Sequence, residues 1–309
     1  MNKVALIIIY NHQFNRNIDI LETIYQDRFT HIYHLVPFYN GDKKNVIPVY
    51  ESSFYFQGYI AQGFKAFFQE DFTHYFFIAD DLIINPLINE NNYTDHLHLS
   101  TTSCFIPELL TLHQVTEYWW PRVGEAFFWN LKHPGVEAVN QLPDYQEAMQ
   151  KFRKFDLTVH PLQFFQIYNR PERFKVFVYR ILRERNYFTH YINCKLRKAS
   201  FSLNYPLVGG YADIAVISSK TIKLFCHYCG VFSSTKLHVE LALPTAVVLS
   251  ASEIVTEKDL RLKGKPMWSS EELQELNKYE FSLIKLLKEF PANYLYLHPI
   301  KLSMWDTRL

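Results

Sequence analysis

The chain has 309 residues, of which 48% are hydrophobic and 20% charged, and its formal net charge at pH 7 is +1. This composition is that of an ordinary globular protein and excludes a disordered chain. A net charge near zero provides no overall field that would attract nucleic acid, so no nucleic-acid partner is expected. Four scattered cysteines do not make a disulfide framework, and no apolar run approaches the roughly 18 residues that span a bilayer. These features predict a cytoplasmic protein.

The first ninety residues alternate short apolar runs with amphipathic segments. Strands are predicted at 3–10, 31–36, 46–50 and 75–79, and helices at 18–27 and 58–70. Continuous apolar runs of this length are typical of strands that are buried on both faces. The alternation therefore predicts an α/β fold with a mixed, mostly parallel, Rossmann-like sheet flanked by helices.

The pattern changes in the middle of the chain and then returns. From 95 to 205 the sequence is rich in aromatic residues and favours helices and loops, including helices at 135–155 and 171–184, so this region is predicted to be a largely helical insertion. The third region, 206–309, resumes the α/β pattern. It contains predicted elements at 213–218, 220–228, 239–249, 270–289 and 294–297.

Asp80 and Asp81 follow the apolar strand 75–79 directly. Ligands of open α/β sheets bind beyond the carboxyl ends of the strands, where these two side chains are expected. Two adjacent carboxylates are costly to desolvate unless a cation compensates them, and Mg²⁺ and Mn²⁺ accept carboxylate oxygens alongside substrate phosphates. The pair therefore indicates either a divalent metal site or, more simply, the start of a surface turn or helix.

In this placement the chain resembles the glycosyltransferases of the GT-A fold, in which a D-x-D-like acidic motif follows a hydrophobic strand of a nucleotide-binding α/β unit. The motif here is Ala79-Asp80-Asp81-Leu82, an x-D-D variant. The resemblance implies that residues 1–94 bind a UDP- or GDP-sugar and that 206–309 form the second half of the catalytic domain. It also implies that Asp81 binds Mn²⁺ or Mg²⁺, while Asp80 approaches the ribose or a metal-bound water.

The same resemblance assigns roles to residues around the acidic pair. Tyr10 and Asn11, which follow the first strand, would contact the nucleotide base, with the tyrosine ring available for stacking. Gly209 and Gly210 would lie beside the donor and acceptor. The expected catalytic base is Glu240, and its rival is Asp213, which could instead hold sugar hydroxyls. For Glu240 the simpler alternative is an acid that interacts with the dipole of its helix.

Two residues near the C-terminus extend this set. His298 follows the apolar segment 294–297, and the resemblance implies that it completes the metal site. Lys301 would neutralise the departing diphosphate. The alternative is a partly buried histidine followed by a solvated lysine.

The expected function is metal-dependent, inverting transfer of a sugar from a nucleotide diphosphate to a hydroxyl of a glycan or lipid-linked acceptor, in bacterial surface polysaccharide synthesis. The alternatives are a nucleotidyltransferase acting on sugar phosphates and an inactive GT-A-like domain that binds glycan or protein. The segment 170–198 combines basic and aromatic residues. It predicts peripheral contact with an anionic membrane at its inner face, binding of an anionic glycan, or a solvated basic surface.

Overall fold

The computed structural model describes residues 3–115, 120–168, 174–183 and 186–308. The strands are β1 Lys3–Ile9, β2 His31–Pro37, β3 Val46–Val49, β4 Phe72–Ala79, β5 Ile83–Ile84, β6 Ser103–Phe105, β7 Leu110–Thr111, β8 Val208–Gly209, β9 Ile214–Ser218, β10 Glu253–Val255, β11 Lys263–Pro266 and β12 Tyr294–His298. The helices are α1 Asn15–Tyr25, α2 Gln57–Phe67, α3 Tyr93–Leu97, α4 Trp120–Phe128, α5 Tyr145–Lys154, α6 Phe164–Ile167, α7 Phe174–Arg183, α8 Tyr187–Arg197, α9 Ile222–Ser234, α10 Val239–Ser250, α11 Ser270–Gln274 and α12 Leu283–Lys288.

Seven strands form the main sheet, in the order β10-β6-β9-β4-β1-β2-β3. Strand β9 runs antiparallel to both of its neighbours, and the other pairings are parallel. From β1 the chain moves outward to β2 and β3, and it then returns to place β4 on the other side of β1. The strand order therefore reverses between β1 and β4, which is where open α/β sheets have their ligand crevice.

Strand β1 shows why the sheet is buried on both faces. Ala5, Ile7 and Ile9 pack into one hydrophobic core, and the alternating residues Val4 and Leu6 pack into a second core on the opposite face. Because successive side chains of a strand point to opposite faces, a continuous apolar run supplies both cores. The predicted α/β fold, with a mostly parallel mixed sheet flanked by helices, is confirmed.

A second, three-stranded sheet in the order β11-β12-β5 lies at the end of β4. Strand β5 begins two residues after Asp81 and pairs antiparallel with β12, with Leu297 opposite Ile83. The backbone N–H of Ile300 also donates to the carbonyl of Asp81 at 2.6 Å. This register brings the C-terminal part of the chain directly to the acidic pair.

Three predicted elements differ from the structure. The helix expected at 270–289 is divided into α11, a 3₁₀ turn and α12, because Glu280 and Phe281 adopt positive φ angles and Ser282 caps α12. The helix expected at 135–155 begins only at Tyr145, where Asp144 forms a capping box. Region 95–205 also supplies β6 to the main sheet. In the predicted helix 171–184, residues 171–173 and 184 lie outside the described residues.

Candidate active site

Acidic side chains from several elements meet at one edge of the main sheet. Asp80, Glu108 and Glu257 each follow the carboxyl end of a parallel strand, namely β4, β6 and β10. Asp213 precedes the antiparallel strand β9, so it lies at the same edge, and its carbonyl accepts a hydrogen bond from the backbone N–H of Ala79 at 2.9 Å. The topology therefore brings acidic residues that are far apart in the sequence together at one edge of the sheet.

Asp80 is buried at the crevice between β1 and β4, with 5% of its surface exposed. Its backbone N–H donates to the carbonyl of Ile9, and its Oδ2 accepts a hydrogen bond from Asn17 of α1 at 3.3 Å. Burial, together with the neighbouring carboxylate of Asp81, raises the pKa of Asp80 to about 7, although hydrogen bonds from Asn17 and the backbone of Asn11 oppose this shift. A negative charge at Asp80 is therefore costly without a compensating cation.

Asp81 and His298 form the closest acid–imidazole pair at this edge. Nε2 of His298 lies 3.1 Å from Oδ1 of Asp81. Burial acts to lower the pKa of His298, but the carboxylates of Asp81, Asp213 and Asp80 outweigh it and raise that pKa. The other ring nitrogen of His298, Nδ1, is buried and has no hydrogen-bond partner within the described ranges. Asp81 and His298 can therefore either form an ion pair, with the imidazole protonated, or bind a cation together.

The geometry of this pair fits a divalent ion. Two adjacent ligands of an octahedral ion at about 2.1 Å lie roughly 3 Å apart, which matches the Asp81–His298 separation. Among the described residues, no group of three or more acidic, histidine or cysteine side chains is arranged to hold a metal. An ion at Asp81 and His298 would therefore take its remaining ligands from substrate phosphates and water, as Mg²⁺ commonly does.

Asp213 interacts electrostatically with both Asp81 and His298. Burial raises its pKa to about 6; His298 opposes the shift, and the carboxylates of Asp81 and Glu240 reinforce it. Asp213 therefore belongs to the electrostatic environment of the Asp81–His298 pair.

Glu240 stands in the first turn of α10, where Arg122 of α4 holds it. Nε of Arg122 donates to Oε2 of Glu240 at 2.8 Å, and a second guanidinium nitrogen contacts Glu125 at 3.0 Å. The backbone N–H of Glu240 donates to Nδ1 of His238 at 3.3 Å. Burial, aided by Arg122, lowers the pKa of His238 to about 4, so this imidazole is neutral and able to accept that bond.

Backbone contacts of Gly209 and Gly210 link the start of α10, which carries Glu240, to strand β7. Gly209 lies in β8 and pairs with Leu110 of β7, and the N–H of Gly210 donates to the carbonyl of Glu240 at 3.0 Å. A Cβ atom at Gly210 would lie 2.4 Å from the carbonyl oxygen of Glu108. Glycine is needed at 210 because of this approach by the protein's own backbone.

The remaining predicted residues are placed differently. The ring of Tyr10 is fully buried, and its hydroxyl pairs with His34 at 2.9 Å, so it offers no face to a nucleotide base in this structure. Asn11 is partly exposed at the crevice. Lys301 is exposed and lines a separate cavity with Trp305, away from Glu240.

A cleft of about 220 Å³ adjoins the Asp81–His298 pair, and sequence reasoning missed most of its lining. Its walls are Pro107, Glu108, Tyr211, Glu240, Glu257, Pro266, Trp268 and Tyr296. The rings of Tyr211 and Trp268 make edge contacts with the ring of His298, with centroids 5.8 and 5.9 Å apart. Tyr211 and Trp268 therefore line the cleft and also pack against His298 of the Asp81–His298 pair.

The rule that selects Asp80 would also have selected two of the missed acids. Glu108 and Glu257 follow β6 and β10, but each of these strands has only three residues, too few to stand out as an apolar run. Burial raises the pKa of both carboxyls. Trp268 had no comparable signal, since it precedes α11 in an irregular segment.

The basic-aromatic segment lies on α7 and α8. Leu182 and Leu196 are 78% and 77% exposed, among exposed basic side chains that include Lys195 and Arg197. Residues 170–173 and 184–185 of this segment lie outside the described residues. None of the described helices is both long enough and apolar enough to cross a bilayer.

No protein-family model matches the chain, and no curated protein matches it significantly.

Proposed function

We propose that the protein is a metal-dependent glycosyltransferase of the GT-A type, which transfers a sugar from a nucleoside-diphosphate donor to an acceptor hydroxyl. The observation that carries the proposal is the contact between Asp81 and His298 beside buried Asp80, at the point where the strand order reverses. Nucleotides bind α/β sheets at such crevices. The x-D-D motif and His298, at the end of the last strand, are two of the features in which the sequence resembles that fold family.

Electrostatics explain why a cation would be required. Six carboxyl groups surround the site. Nearby cations are His298, Arg122, which is bound to Glu240, and Lys258 and Lys263, which act on Glu108 and Glu257. The acids are Asp80, Asp81, Glu108, Asp213, Glu240 and Glu257. A diphosphate entering this region would be repelled unless a divalent ion bridged it to the protein. Asp81 and His298 would hold that ion, which would stabilise the charge that develops on the departing diphosphate.

Helix α1 offers a complementary feature for the phosphates. It begins six residues after β1, has neither a capping side chain nor an acid in its first turn, and contributes Asn17 to Asp80. Unpaired N–H groups at a helix start favour bound anions. The donor diphosphate would thus lie between the start of α1 and Asp81.

Glu240 is the proposed base. In the proposed reaction the acceptor oxygen attacks the anomeric carbon, its proton passes to the Glu240 carboxylate, and the bond from that carbon to the phosphate oxygen breaks. Arg122 would act as a positioning residue by fixing the carboxylate from the side away from the acceptor. Asp213 would accept hydrogen bonds from sugar hydroxyls near the Asp81–His298 pair.

The test is hydrolysis and transfer with a panel of UDP- and GDP-sugars in the presence of Mn²⁺ or Mg²⁺. We expect nucleoside diphosphate to be released with the ion present and not with EDTA. Asp81→Asn should lower this rate at least about 100-fold, because it removes a charged ligand. Asp27→Asn is the matched control, since Asp27 is exposed between α1 and β2 at the opposite edge of the sheet.

Three outcomes would contradict the proposal. If no donor is hydrolysed and none raises the melting temperature with Mn²⁺ present, the transferase assignment fails. Release of pyrophosphate from a nucleoside triphosphate and a sugar 1-phosphate would instead identify a nucleotidyltransferase. If Asp81→Asn behaves like Asp27→Asn while the wild type is active, the metal site lies elsewhere.

A further inference from the structure

The cleft next to the Asp81–His298 pair has the size of a binding site for one sugar ring. Its volume of about 220 Å³ is below the roughly 300–1,000 Å³ typical of pockets for drug-sized ligands. Two of its walls are aromatic. Tyr211 and Tyr296 stack with their ring planes 1° apart, and Trp268, which is 57% exposed, stands edge-on to Tyr211. Exposed aromatic surface beside polar groups suits an amphipathic ring such as a sugar.

Carboxyl and hydroxyl groups belong to the residues that line the cleft. The hydroxyl of Tyr211, a residue with only 8% of its surface exposed, lies beside Asp213 but makes no hydrogen bond of acceptable geometry to any described residue. Oε2 of Glu257 accepts the N–H of Gly264 at 3.0 Å, and the hydroxyl of Tyr296 lies beside the same carboxyl group. Carboxyl and phenol groups therefore stand beside the aromatic surface of the cleft, as recognition of an amphipathic ring such as a sugar requires.

The charge of the lining limits the ligand further. Three of the eight lining residues are glutamates, and no lining residue is basic. The cations that border the cleft already interact with its glutamates: Arg122 is bound to Glu240 and Glu125, Lys263 donates to the backbone carbonyl of Glu257, and Lys258 lies near Glu108. A carboxylate, sulfate or phosphate on the ligand would be repelled, whereas hydroxyl groups, or an ammonium group over the rings, would be attracted.

We propose that this cleft binds the acceptor sugar and that the sugar bears no negative charge, as in a neutral hexose or an amino sugar. The inference rests on the proposed transferase function, because it takes Glu240 in the cleft wall as the base. Trp268 packs against the sugar ring, and Glu108 and Glu257 accept its hydroxyl hydrogens. The protein thus excludes uronic and sialic acids at the acceptor position.

The test uses three methyl glycosides that share one ring: the neutral hexoside, its 2-amino form and its uronate. Binding to the full chain is measured by saturation-transfer NMR, and donor hydrolysis with Mn²⁺ is measured in parallel. We expect the uronate to bind at least about tenfold more weakly than the neutral glycoside. Trp268→Ala should abolish binding of the neutral glycoside, whereas Tyr145→Ala, which removes an exposed ring from α5, should not.

A charge variant keeps the proposal testable even if Trp268→Ala perturbs the fold. In the double variant Glu108→Gln/Glu257→Gln, the ratio of the Kd for the uronate to the Kd for the neutral glycoside should fall at least about fivefold. Glu271→Gln on exposed α11 should leave this ratio unchanged. Equal binding of uronate and neutral glycoside by the wild type overturns the inference, and continued donor hydrolysis then leaves the transferase assignment intact. Selective sugar binding without any donor hydrolysis overturns the acceptor role together with that assignment.

Discussion

Replacement of Asp80 by asparagine should stabilise the metal-free protein at alkaline pH. The pKa of Asp80 is raised from its ordinary value of 3.8 to about 7 by burial and by Asp81. A raised pKa means that the folded state binds the proton more tightly than the unfolded state does. Stability is therefore fully present below the unfolded pKa and is lost as the pH rises through the folded pKa.

The size of the effect follows from that difference in pKa. At about 1.36 kcal/mol per pKa unit, ionisation of Asp80 costs the folded state about 4 kcal/mol by pH 8. The asparagine of the Asp80→Asn variant would carry no charge at any pH and could still accept the hydrogen bond from Asn17. The stability advantage of Asp80→Asn over the wild type should consequently grow by about 4 kcal/mol between pH 4 and pH 8.

Urea unfolding in EDTA, followed by tryptophan fluorescence, measures this advantage. At an m-value of about 3 kcal/mol per molar urea, the midpoint of Asp80→Asn should gain about 1.3 M on the wild type across this pH range. The exposed-site variant Asp27→Asn should show no such trend. An advantage that stays constant with pH, or a variant less stable than the wild type at pH 8, would refute the claim that an uncompensated charge is held at Asp80.

Three further predictions address other parts of the molecule. Glu240→Gln should lower the rate of sugar transfer by about 10²–10⁴ while donor affinity measured by calorimetry stays unchanged, because the amide cannot accept the proton although its oxygen can still accept the hydrogen bond from Arg122. Gly210→Ala should destabilise the fold by about 1–3 kcal/mol in thermal unfolding, since its Cβ would meet a carbonyl oxygen at 2.4 Å, whereas Gly230→Ala, with 3.4 Å to its nearest neighbour, should be neutral or stabilising. If α7 and α8 dock to an anionic bilayer, Leu182→Ser/Leu196→Ser should weaken co-sedimentation with phosphatidylglycerol vesicles; binding that is unchanged, or equal on uncharged vesicles, would contradict this role.

Long, strongly apolar strands made the first half of the fold predictable from sequence. Strands β1 and β4 have seven and eight residues, and their carboxyl ends could be located within one residue. That accuracy placed Asp80 and Asp81 at the crevice from the sequence alone. The two faces of β1 also explain why Tyr10 fails as a stacking platform: it continues the alternation of Leu6 and Ile8 and so points into the core.

What the sequence could not supply is the meeting of distant segments. The aromatic wall of the cleft depends on β12 pairing with β5, and its acidic wall depends on strands of three residues. Neither feature has a local periodic signal. Arg122 belongs to a helix in the middle of the chain, and only the tertiary packing shows that it reaches Glu240.

The pairing of β12 with β5 has a consequence for the protein during its synthesis. Asp81 leaves the ribosome early, whereas His298 is added only after all seven strands of the main sheet have been made. A nascent or truncated chain that stops before β12 would contain those seven strands and yet lack the partner of Asp81. The order of translation therefore makes the Asp81–His298 pair the last part of the candidate site to be completed, so a chain that ends before β12 would lack one of the proposed metal ligands.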